Sequence, residues 1–95
     1  MESRYLLANL GYDIDKVASR VAEVLDIDAE KVWRKGKHPE TVRARSLLCF
    51  WAARELGITM KNLAVRLGLT PPAVSISVRR GEKLVKEFGY RLTNE

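Results

Sequence analysis

The chain has 95 residues, 46% of them hydrophobic and 31% charged, with a formal net charge of +5. This is the composition of one soluble globular domain with a single modest core. No apolar run approaches the roughly 20 residues of a membrane span, and no signal peptide opens the chain. One cysteine, Cys49, cannot close an internal disulfide, and a lone thiol in an apolar stretch suits a reducing cytoplasm.

The charge is unevenly spread. Residues 1–30 hold three basic and seven acidic side chains, net −4, whereas residues 31–95 hold fourteen and five, net +9. A basic balance confined to one part of a chain is what a phosphate-binding surface requires.

In chain order, residues 1–12 (MESRYLLANLGY) show no clean period and read as a linker-like segment, as expected of a piece of a longer protein. The helical domain is expected over 13–90. Asp13 or Asp15 can cap a first helix, along which Ile14, Val17, Ala18, Val21, Val24 and Leu25 recur at helical spacing. Asp26–Asp28 breaks it, and Asp28 can cap the next short helix, AEKVWR, with Val32 and Trp33 expected in the core. KGKHPE then reads as a basic loop. His38, the only histidine, has no cysteine or carboxylate cluster beside it and is expected to be a solvated loop residue.

Glu40–Leu56 predicts the longest helix, with Val42, Leu47, Leu48, Trp51, Ala52 and Leu56 on its buried side and Gly57 ending it. Arg43 and Arg45 lie in its first turns and are expected to point outward.

The stretch TMKNLAVRLGLTPPAVSISVRR, residues 59–80, has the marks of a helix-turn-helix. Leu63, Ala64 and Leu67 share a face. Gly68 follows as a left-handed C-cap, Leu69 fills the corner, Thr70 is an N-cap and Pro71 occupies the first helical position. Small Ala64 permits close approach of Val74. The second helix is expected to run to about Glu87, with Val74, Ser77, Val78, Gly81, Val85 and Phe88 inward, and with Gly81 either allowing a close crossing or bending the helix. Its outward side carries Pro72, Ser75, Ile76, Arg79, Arg80 and Lys83. Arginine can read guanine bidentately, serine can bond base or phosphate, and isoleucine can touch a thymine methyl. Gly89 and Tyr90 close the helix, and the residues after them are expected to fray.

IDKVASRVAEVLDIDAEKVWRKGK, then VRARSLLCFWAAREL, then the helix-turn-helix, resemble the DNA-binding C-terminal domain of the replication initiator DnaA, a Trp-repressor-like fold. The resemblance covers about residues 14–87. Every long segment has a helical period and none alternates, which predicts an all-α domain of five or six helices; the resemblance adds an arginine in the minor groove at Arg43 and backbone contacts from Lys35 and Lys37. One departure matters. DnaA opens its recognition helix with Asp-His-Thr, where this chain has Thr70-Pro71-Pro72-Ala73, so the DnaA box is not the expected target. VRARSLLCFWAAREL, LAVRLGLTPPAVSISVRRGE and the terminal GYRL more closely resemble the C-terminal domain of REP-associated tyrosine transposases. There such a domain follows a catalytic domain with a His-hydrophobic-His metal motif and a tyrosine nucleophile. A chain with one histidine cannot supply that motif.

The expected function is therefore sequence-specific binding of double-stranded DNA as an accessory, non-catalytic module of a bacterial transposase-like protein. Its contacts would come from Lys35, Lys37, Arg43, Arg45, Thr70, Pro72, Ser75, Ile76, Arg79, Arg80 and Lys83. No metal, cofactor, membrane or small-molecule substrate is implied. The alternatives are a free-standing transcription or replication regulator of the same fold and a helical protein-interaction domain.

Overall fold

In the computed structural model, which describes residues 13–92, there are five helices, four of them packed around a central one, and no strand occurs among those residues. They are α1 (Ile14–Leu25), α2 (Ala29–Trp33), α3 (Pro39–Arg54), α4 (Met60–Leu67) and α5 (Pro71–Phe88). The linker-like segment 1–12 lies outside the described residues.

Each boundary has a local cause. Asp13 caps α1 by accepting from the Lys16 amide at 2.9 Å. The helix ends at Asp26, which takes the left-handed conformation (φ 56°) so that its amide and that of Ile27 turn back onto α1 carbonyls. Asp28 stands at the N-cap of α2 without a side-chain cap bond. His38 is exposed in the loop, as expected, and has a further use there: its Nδ1 accepts from the Glu40 amide at 3.4 Å, making it the N-cap of α3, with Pro39 as first helical residue. At the far end α3 stops at Arg54, two residues short of Leu56, and the chain turns through Gly57.

Helix α3 is the hub. Ala44, Leu47, Leu48, Cys49, Trp51 and Ala52 are all buried, Trp51 at 2% exposure. A helix buried on several sides carries apolar residues around most of its circumference, as this one does. Val17, Ala18 and Val21 of α1, Val32 of α2, Leu63 and Leu67 of α4, and Val74 and Val78 of α5 complete the core.

The α3–α5 contact is the most extensive between helices. Gly81 is buried there, and a Cβ on it would overlap the Ser46 carbonyl oxygen and come within 2.5 Å of Phe50 Cβ. Of the two roles open to Gly81, close crossing is the one realised, and α5 continues unbroken through it. Cys49 and Ser77 are both buried at this interface; burial pushes the Cys49 thiol up to about 11 despite the opposing influence of Arg45 and of the Ser77 hydroxyl.

Three expectations about burial are corrected. Trp33 is only half-buried: successive helical residues point about 100° apart, Val32 takes the inward place, and the Arg66 guanidinium covers the indole ring at 4.9 Å. Phe88 is 56% exposed, because it lies two turns past the Gly81 crossing, and it stacks on Tyr90 with centroids 5.6 Å apart. Arg91 and Leu92 are held rather than frayed: Leu92 is buried and Arg20 Nε donates to the Arg91 carbonyl at 2.8 Å.

Candidate nucleic-acid interface

The helix-turn-helix forms as the local chemistry requires. Thr59 caps α4 by accepting from the Asn62 amide at 3.1 Å. Gly68 ends it in the left-handed region (φ 67°), and the Leu69 amide returns to the Ala64 carbonyl at 2.9 Å. Thr70 Oγ1 then accepts from the Ala73 amide at 3.3 Å, and α5 begins at Pro71-Pro72. Leu63, Ala64 and Leu67 are buried on α4 and Val74 and Val78 on α5.

The basic loop lies against this turn. A Cβ on Gly68 would meet Lys35 Nζ at 2.6 Å and Cε at 3.0 Å, so the lysine side chain crosses the glycine where α4 gives way to α5. From the other side, Arg45 donates to the Gly36 carbonyl at 3.4 Å, tying the loop to the first turns of α3. Lys35, Arg45 and the approach to Thr70 are thereby brought together. Lys37 and Arg43 are exposed; Arg45 is half-buried.

Along α5, Pro72, Ile76, Arg79, Arg80 and Lys83 are exposed, Ser75 is half-buried, and Thr70 is exposed with its oxygen engaged in the cap. Ile76 is 48% exposed, a large amount for a β-branched apolar residue among cations.

The distribution of ion pairs separates two groups of cations. Acidic partners meet Arg20 (Glu23), Lys31 (Glu40, 3.2 Å), Arg34 (Glu30, 3.2 Å), Arg54 (Glu82, 3.5 Å) and Arg66 (Asp15, 2.7 Å). None of the candidate contact residues is among them: Lys35, Lys37, Arg43, Arg45, Arg79, Arg80 and Lys83 make no ion pair among the described residues. Exposed Lys61 and Lys86 share this property, and composition alone could not have marked them. An unneutralised cation raises the local positive potential, whereas a paired one contributes little to it. Arg66 is the residue whose role the sequence hid. On the first helix of the motif, it bonds Asp15 of α1 and stacks on Trp33 of α2, so three helices meet at one guanidinium.

Among the described residues no group of three or more His, Cys, Asp or Glu side chains is gathered as a metal site would need, and no helix is long and apolar enough to cross a membrane. The fold and this surface define a small all-α domain with a helix-turn-helix, the type of a helical protein or nucleic-acid interaction module. No protein-family model, curated protein or solved structure matches the chain.

Proposed function

We propose that this domain binds double-stranded DNA sequence-specifically, as an accessory module of a transposase-like protein and without catalysis of its own. The observation that supports this most is the sorting of cations. The acidic side chains neutralise Arg20, Lys31, Arg34, Arg54 and Arg66 and leave Arg79, Arg80, Lys83, Lys35, Lys37 and Arg43 unpaired. In this reading α5 enters the major groove, the 35–37 loop and Arg45 hold phosphates, and Arg43 reaches the minor groove. The transposase association rests on the sequence resemblance.

The exposed Phe88–Tyr90 stack and Val65, 78% exposed, favour a second reading, a protein-contact domain. Site selection from random duplex DNA, followed by gel shifts at low and high salt, decides between them. Enrichment of a defined sequence, with affinity falling steeply with salt, supports DNA recognition. No enrichment and no salt-sensitive shift overturns it. Metal-dependent cleavage of a labelled hairpin by the pure protein, absent from a mock preparation, overturns the non-catalytic part.

A further inference from the structure

The first turn of α5 has no backbone donor to offer. Pro71 and Pro72 lack an N–H, the Ala73 amide is bonded to Thr70 Oγ1 at 3.3 Å, and the Val74 amide to the Thr70 carbonyl at 3.1 Å. A helix start normally presents free amides to anions or base edges. Here residues 71–74 offer no free amide. What it does present is apolar: exposed Pro72, and one turn on, exposed Ile76 on the same helical stripe, since positions four apart lie one above the other. Arg79, Arg80 and Lys83 follow on that outward side. The stripe is thus apolar at its leading end and cationic behind it.

We infer that Pro72 and Ile76 recognise the 5-methyl group of thymine in the major groove. This rests on the DNA-binding reading above and names the base that the leading end of the helix selects. Thymine is the base that presents a methyl group in that groove, and it is read by apolar contact rather than by hydrogen bonds. The unpaired cations behind the patch supply the charge complementarity that brings a polyanion to it, which an apolar protein surface would not match.

The test uses the intact chain and the duplex obtained by site selection. Each thymine is replaced by deoxyuridine, which removes the methyl and keeps the pairing. Wild-type affinity should fall about fourfold for each contacted methyl, the factor equivalent to burying one carbon. The double variant Pro72→Ala, Ile76→Ala should bind the thymine duplex more weakly and should not distinguish it from the deoxyuridine duplex. Equal wild-type affinity for both duplexes overturns the inference while leaving DNA binding intact. Equal discrimination by wild type and double variant overturns the assignment to Pro72 and Ile76. Failure of site selection to enrich any sequence instead refutes the underlying reading, and this inference with it.

Discussion

Replacing Gly81 with alanine puts two opposed effects in one residue. Alanine is the better helix former, by about 1 kcal/mol in a helix interior. On propensity alone Gly81→Ala should stabilise an 18-residue helix. Packing argues the other way. The new methyl would overlap the Ser46 carbonyl, lie 2.9 Å from its carbon and 2.5 Å from Phe50 Cβ. Two of these atoms are backbone and the third is directly attached to it, so no flexible side chain can swing aside. Helix α3 cannot recede either, because α1, α2 and α4 pack on it. Helix α5 must therefore move out, loosening the buried Val74, Ser77 and Val78 together. Overpacking of a tight core costs about 1–3 kcal/mol even where side chains can adjust, and this site lies at or above the top of that range. After subtracting the propensity gain, a net loss of about 2 kcal/mol is expected, which lowers Tm by about 8–16 °C in a domain of this size. Thermal and urea unfolding followed by circular dichroism measure it. Gly89→Ala is the control: nothing lies within 4 Å of its Cβ position, so only the left-handed backbone (φ 70°) opposes it, at about 1–2 kcal/mol. A Tm for Gly81→Ala equal to or above that of wild type would refute the close-crossing argument.

Lys37→Ala should weaken binding to all duplexes alike and flatten the dependence of log affinity on log salt by about one unit; an unchanged slope removes Lys37 from the phosphate contacts. Arg79→Ala should instead lose preference at one or two base pairs, about 1–3 kcal/mol of discrimination, while keeping most non-specific affinity. Arg43→Ala should lose the preference for A·T-rich flanks, whose narrow minor groove concentrates negative potential. Uniform losses in both arginine variants across a site library would deny them a reading role. Buried Cys49 should resist thiol–disulfide exchange reagents until the domain unfolds. Its folded-state value near 11 lies above the ordinary 9.0, so the folded thiol holds its proton more tightly than the unfolded one. The resulting stability is full below pH 9 and is lost as pH rises through 11, by at most about 2–3 kcal/mol. Urea titrations of wild type and Cys49→Ala across that range check it: wild type should lose more, and parallel curves would show the thiol plays no part.

Much of the fold was legible because the relevant signals are local. Gly68, Thr70 and Pro71 each impose a backbone conformation on their own neighbourhood, and the turn forms where they stand. Gly81 was legible as an inward position from helical spacing, although spacing alone could not choose between a close crossing and a bend. The misjudged residues depend on what lies across from them. Trp33 reads as core by residue type, but its cover is Arg66, 33 positions later in the chain. Phe88 keeps the inward period of α5 after the partner helix has been left behind. His38 reads correctly as a solvated loop residue, but its capping of α3 was not legible, because capping by an imidazole is an uncommon use of the side chain. The candidate interface was legible in its residue types and in the charge asymmetry. Which cations would be neutralised was not, since three of the five ion pairs join different helices.

The bond from Arg20 to the Arg91 carbonyl spans 71 positions and brings the end of the described chain beside the middle of α1. From Arg20 back to Asp13 is about 10 Å along that helix, at about 1.5 Å per residue. Connectivity and architecture can therefore be separated: a short flexible peptide of about six residues, each reaching about 3.3 Å, spans the distance from Leu92 to Asp13. New ends could then be opened in the turn after α3, around Gly57. In such a rearranged chain α4 and α5 would come first, α1 to α3 would follow, and the same five helices would have the same neighbours.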